Sequence, residues 1–219
     1  MPPYIEHAIT RASFEQIDLE IGPHSLTDEE YAIVRRVIHT TADFEFKQLV
    51  RFSGRPFAAA HQALQKGSPI VTDVSMVAAG IGGVIAKTWQ VPVAVAVKQA
   101  QALSSSTEPL TGTEALPRET RSSQGIRQCG RLSPESIFAI GNAPTALLAL
   151  CEGIVQGNWH PALVIGAPVG FINVVESKQA LAALEVPYIL IEGRKGGSAV
   201  AAAILNALMI RCWEQSSSP

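Results

Sequence analysis

Five short apolar runs constrain this chain more than any other feature: Ile70–Thr72, residues 93–97, Ile137–Ile140, residues 163–165 and Tyr188–Ile191. Each has strand length, none alternates cleanly between apolar and polar residues, and each leads into a helix-like stretch or a loop. A strand that is apolar on both faces must be covered on both faces. The repetition therefore predicts an α/β fold, a three-layer α/β/α domain around a mostly parallel sheet of about five strands. Right-handed crossovers follow as the default. At 47% apolar and 16% charged, the 219 residues carry enough apolar material for one such core. The expected organisation is one domain over residues 1–213 and a polar, frayed tail from Glu214.

Helical stretches fill the remainder. Residues 5–20 read as a helix that holds Arg11 and Ser13, ended by Gly22-Pro23-His24. Residues 57–66 read as another, closed by Gly67 with Pro69 beyond. The last helix, residues 197–213, is apolar nearly all round, which predicts burial in the core or at a subunit interface. Residues 103–117, rich in Ser, Thr, Glu and Pro, read as a surface loop.

The helix from Thr27 to about Thr41 carries the most distinctive titratable group. Thr27 and Glu30 form a capping-box pattern, and Asp28 and Glu29 place negative charge in the first turn. Tyr31, Val34, Val37 and Ile38 make a buried stripe, and His39 follows on its edge in the last turn. A cation there is favoured by roughly 0.3–1 kcal/mol, and Asp43 stands four residues on. His39 is thus a candidate proton or hydrogen-bond donor near neutrality. A half-buried histidine satisfying a carbonyl is the other reading of the same spacing.

In open α/β sheets ligands bind beyond the carboxyl ends of the strands, and four such ends stand out. Asp73 follows the first run. Gly141 to Thr145 follows the third, with Asn142 as the expected N-cap of a helix. Gly166, Val169 and Gly170 lie after the fourth. Residues 192–198, with Arg194, Lys195, Gly196 and Gly197, follow the fifth and resemble an anion cradle. That last loop is not a Walker A loop, and no GxGxxG opens a first βα turn. Arg121-Ser122 adds a cation suited to clamping a carboxylate.

Other classes lose ground. A net charge of -2 gives no global reason for nucleic-acid binding. Cys129, Cys151 and Cys212 are widely spaced and odd in number, which speaks against a disulfide framework or zinc site. No serine nucleophile elbow, HExxH helix or tight carboxylate pair is present. The longest uncharged runs, 136–151 and 196–210, fall short of a membrane span. No signal-peptide pattern opens the chain, and a cytoplasmic protein is expected.

Taken jointly, RVIHTTADFEF (36–46), TDVSMVAAGI (72–81), TRSSQGI (120–126), IGNAPTALLAL (140–150), IGAPVGFINVVESK (165–178) and EGRKGGSAVAAAILNAL (192–208) resemble the precorrin-8X / cobalt-precorrin-8 methylmutase family. The resemblance runs in order from about Ile5 to Met209. It implies an isomerase of corrin biosynthesis that moves a methyl group from C-11 to C-12 of a tetrapyrrole by a 1,5-sigmatropic shift. It further implies no cofactor, no metal from the protein, and a homodimer with sites near the subunit boundary. The family's essential histidine maps onto His39, its early substrate-contacting serine onto Ser13, and its polar positions onto Asp73, Arg121 and Ser122. Its ligand-lining turns map onto Asn142, Thr145, Gly166, Val169, Gly170, Gly196 and Gly197. Thr40 and Thr41 stand beside the histidine, and Arg11, Arg121, Arg194 and Lys195 are the candidate cations for the substrate's carboxylates. Two departures stand out: Ser123-Gln124-Gly125 replaces an Ala-rich stretch, and Ser75 sits where members vary. A non-catalytic corrinoid carrier or sensor would use the same crevice. A nucleotide-binding enzyme would draw on residues 194–198 alone.

Overall fold

The structure, a computed structural model, describes residues 4–104 and 120–217. In chain order these hold α1 (Ala8–Glu20), α2 (Asp28–Thr41), one-turn α3 (Phe46–Leu49), β1 (Val50–Phe52), α4 (Pro56–Gln65) and β2 (Ile70–Thr72). Then come α5 (Ser75–Lys87), β3 (Val93–Val95), α6 (Ala96–Ser104), α7 (Arg121–Leu132), β4 (Ile137–Ile140) and α8 (Pro144–Val155). The chain closes with β5 (Leu163–Gly166), α9 (Val174–Ala182), β6 (Tyr188–Ile191) and α10 (Ser198–Ser217).

The sheet order is β1-β6-β5-β4-β2-β3, with β1 antiparallel to β6 and every other pair parallel. Side chains along a strand alternate between faces, and the core divides accordingly. Ile70, Ile137, Leu163, Ile165, Ile189 and Ile191 pack with α1, α2, α4, α5 and α10 on one side. Val71, Phe138, Ile140, Val164 and Leu190 pack with α7, α8 and α9 on the other. This is why the strands read as continuous apolar runs. α10 lies against α2, α4 and α5, and Val200, Ala201, Ile204, Leu205, Leu208 and Met209 are all nearly fully buried, as its all-round apolar sequence requires. No helix among the described residues is long and apolar enough to cross a membrane.

The winding direction matters for the site. From β2 the chain first adds β3 on one side, then returns past β2 to add β4, β5 and β6 on the other. β2 and β4 are thus neighbours separated by a reversal, the switch point at which a crevice opens beyond the carboxyl ends.

The five predicted strands are all present, and β1 is a sixth. Its VRF sequence is too short and too polar to stand out. The run 93–97 ends as a strand at Val95, where α6 begins. α1 starts at Ala8, not Ile5, with His7 as its cap. α10 continues through Glu214 to Ser217, so residues 214–217, expected to be a frayed tail, are helical. Of the surface loop read over 103–117, Leu103 and Ser104 end α6 and the remainder lies outside the described residues.

Candidate active site at the carboxyl rim

At the switch point stands Asp73, fully buried. Its Oδ1 accepts the N–H groups of Val74 and Gly141, and its Oδ2 accepts those of Asn142 and Ala143, all at 2.8–3.0 Å. Burial pushes the carboxyl above its ordinary range, while the four N–H donors pull the other way. The carboxylate therefore occupies the start of α8 as an internal anion. Two expectations change. Asp73 has no exposed surface, and both of its oxygens are spent on the backbone of the turn. Asn142 is not the N-cap: Ala143 is, and its methyl side chain has no acceptor with which to make a cap bond. Gly141 also presses on the start of α10, where a Cβ would come within 2.8 Å of Ser198 Cα and of Val77.

The β5–α9 and β6–α10 loops are fastened to each other through main chain. Gly197 N–H donates to the Ala167 carbonyl at 2.8 Å and Gly170 N–H to that of Arg194 at 3.4 Å. A Cβ on Gly196, at φ +148, would meet the Ala167 oxygen at 2.4 Å. Beneath them lies Lys178 of α9, 3% exposed. Its ammonium donates to the carbonyls of Gly193 and Lys195 at 2.8 and 2.7 Å. Burial without a carboxylate partner brings its pKa down to about 8.

α2 forms as its sequence dictates. Both halves of the Thr27–Glu30 capping box are made, and Ala42 closes the helix in the left-handed conformation. His39 lies in the last turn, exposed, with its ring edge-on to Phe14 of α1 at 5.4 Å between centroids. Asp43 does not serve His39. It and Glu45 bind Lys195, at 2.5 and 2.6 Å, and Lys195 holds the Asp43 carboxyl below its ordinary range. These ion pairs fasten the turn just past His39 to the β6–α10 loop and so bring His39 to the rim. They also remove Lys195 from the cations free for a ligand. The imidazole lines neither the cavity of about 730 Å³ over the β4–α8 turn nor the cleft of about 670 Å³ between α1, α2 and α10.

A cavity of about 730 Å³ opens over the β4–α8 turn, lined by Ser122, Arg127, Asn142, Thr145, Leu148 and Ile172 among others. Thr145 shares a 2.7 Å hydroxyl hydrogen bond with Thr120, and Ser123, one of the departures noted, completes a capping box with Thr120 at the head of α7. Arg121 is exposed in the first turn of that helix. Gly166 ends β5 inside the core, where a Cβ would strike Leu181. Arg11 lies in a second cleft of about 670 Å³ between α1, α2 and α10, which touches the rim only through Phe14. Ser13, Thr40 and Thr41 each donate their hydroxyl to a carbonyl of their own helix, those of Ile9, Arg36 and Val37.

Three rim features escaped the sequence. Met76, Phe171 and Ile172, beside the expected Val169, stand exposed after β2 and β5, with Phe171 86% exposed. Arg194 lies over the Phe171 ring at 5.9 Å. Lys178 was legible only as part of a motif. Solvent-facing apolar side chains next to a cation suit a ligand that is apolar on its face and anionic at its edge. Among the described residues no group of three His, Cys, Asp or Glu gathers as a metal site.

The carboxyl rim of this doubly wound α/β sheet thus carries an exposed imidazole, exposed apolar side chains and a cationic loop. Comparison with known proteins gives the family. The model of the precorrin-8X methylmutase family matches residues 8–211, and the chain belongs to that family, isomerases that move a methyl group within one molecule. A cobalt-precorrin-8 methylmutase of Synechocystis is 46% identical over 96% of this chain and 98% of its own length. One from Leptospira interrogans is 40% identical over 92% of each chain. The crystal structure of a precorrin-8X methylmutase from Thermus thermophilus superposes with a TM-score of 0.82 at 39% identity, covering 97% of this chain and all of the other.

Proposed function

We propose that the chain acts on cobalt-precorrin-8 or its metal-free counterpart precorrin-8X, moving the C-11 methyl to C-12 to give cobyrinate or hydrogenobyrinate. The reading rests on family membership and, within the structure, on one observation: His39 ends α2 on the same rim as the Arg194 loop, fastened there by Lys195, Asp43 and Glu45. In this reading His39 donates a proton or hydrogen bond to the ring nitrogen nearest C-11. Electron density then leaves the conjugated system, the C-11–methyl bond breaks as the C-12–methyl bond forms, and the proton returns to His39. Acid assistance of this kind contributes about 10²–10⁴-fold. Phe171, Ile172, Met76 and Val169 take the apolar face of the macrocycle. Arg194, Arg121 and the Gly196 amide take its carboxylates, while Ser122, Asn142 and Thr145 line the adjoining cavity. The reading includes a cytoplasmic homodimer, in which a second copy covers the exposed face of His39.

His39→Asn tests the reading. Conversion, followed by the change in visible absorbance as the conjugation rearranges, should stop while the variant still binds the macrocycle. Normal turnover by the variant would refute the role of His39. Band shifts without conversion by the unmodified protein would make it a carrier.

A further inference from the structure

We propose that Lys178 is a positioning residue for the substrate-facing loop, setting the direction in which Arg194 and its neighbouring amides point. The inference rests on the function proposed above and adds to it a residue that touches no substrate. Lys178 approaches the β6–α10 loop from within the protein and binds the carbonyls of Gly193 and Lys195. Peptide groups are planar and, among the described residues, trans. A carbonyl turned inward therefore turns the next N–H outward. The two peptides held by Lys178 are those whose N–H groups belong to Arg194 and Gly196, and neither amide meets an acceptor among the described residues. One ammonium thus fixes two outward donors, and the Arg194 side chain leaves the loop between them.

No other hydrogen bond among the described residues holds these two peptides. The fastening to the β5–α9 loop uses the Gly197 amide and the Arg194 carbonyl, which are different groups. Lys195 is tied to Asp43 and Glu45 at its side-chain end and does not orient the peptides. An aliphatic side chain at 178 would fill the space but leave both carbonyls free to rotate.

The test compares Lys178→Met, Lys178→Gln, Arg194→Met and the double Lys178→Met/Arg194→Met with the unmodified protein. The readouts are binding of cobyrinate, a rim-carboxylated corrinoid, and KM against kcat. Misplacement of a binding group by about 1 Å can cost about a hundredfold, so Lys178→Met should weaken binding and raise KM by about 10–100-fold with a smaller effect on kcat. Lys178→Gln, which keeps one donor, should recover part of the loss. The double variant should bind no worse than the weaker single variant, because both changes disable one device, whereas independent effects would multiply. Hydrogen exchange at residues 193–197 should accelerate selectively in Lys178→Met. Multiplying effects, unchanged binding by Lys178→Met, or failure of both Lys178 variants to fold would each overturn the positioning role. Absence of cobyrinate binding by the unmodified protein would instead count against the proposed function.

Discussion

Replacing Asp73 by Asn keeps the shape of a buried side chain and removes one acceptor oxygen. In the native protein each oxygen takes two N–H groups. Whichever way the amide turns, its NH2 faces either Val74 and Gly141 or Asn142 and Ala143, and two donors, part-buried except for that of Gly141, lose their acceptor. Each such group costs about 1–3 kcal/mol, which puts the gross loss at about 2–6 kcal/mol. The neutral amide escapes the burial penalty that raises the Asp73 carboxyl, and this offsets part of it. A net loss of about 3 kcal/mol is expected. In a chain of this size 1 kcal/mol moves Tm by about 2–4 °C, so the melting midpoint should fall by about 6–12 °C. Scanning calorimetry with urea unfolding as a check measures it. The 730 Å³ cavity shares Asn142 and Ala143 with this turn, so ligand affinity should fall alongside. A variant whose Tm and urea midpoint match the native protein would refute the claim that the carboxylate holds the turn.

Gly196→Ala should destabilise by about 2–4 kcal/mol, combining backbone strain of about 1–3 kcal/mol with loss of the Gly197–Ala167 hydrogen bond. An unchanged urea midpoint would show that the two loops are not pressed together. Alkaline pH should act with two signs. Burial pushes Cys129 up to about 11 and Cys151 and Cys212 up to about 12, so their contribution is full below about 8.5, where unfolded thiols titrate, and is lost as pH rises through 11–12. Lys178, held down to about 8 against about 10.4 when unfolded, binds its proton less tightly in the fold and contributes stability that grows between those values. The difference in unfolding free energy between native protein and Lys178→Met should therefore rise by about 2.5 kcal/mol from pH 7 to pH 10. A flat difference would mean that Lys178 is not desolvated.

Much of this was legible in the chain because local signals and tertiary structure agree. Thr27 and Glu30 announce the start of α2, and both cap bonds are made. Ile137–Ile140 and Tyr188–Ile191 reveal two-sided burial by lacking alternation. What could not be read were partnerships between distant residues. Asp43 lies four residues from His39, so spacing suggested a pair, but Lys195 competes from the far end of the chain. Asp73 looked like a ligand-facing acid until the switch point brought Gly141–Ala143 over it. β1 owes its strand conformation to pairing with β6, whose residues lie some 140 positions later.

The two buried charges divide the rim into unlike halves. Asp73 draws the N–H groups of residues 141–143 inward, so the carbonyls of Gly141 and Asn142 in the same planar peptides turn outward. Lys178 draws carbonyls inward on the β6–α10 loop, and N–H groups turn outward there. The β4–α8 turn thus offers acceptors and the β6–α10 loop offers donors. An edge carboxylate is repelled at the first and welcomed at the second, where Arg194 adds a full charge. The sequence marked only the β6–α10 loop as an anion cradle, although both loops carry glycine before a helix, and a buried side chain of opposite sign gives each the opposite face. Arg194→Met should accordingly weaken carboxylate binding strongly, whereas Asn142→Ala should barely change it. Equal losses in the two variants, read by titration with cobyrinate, would show that the rim is not polarised in this way.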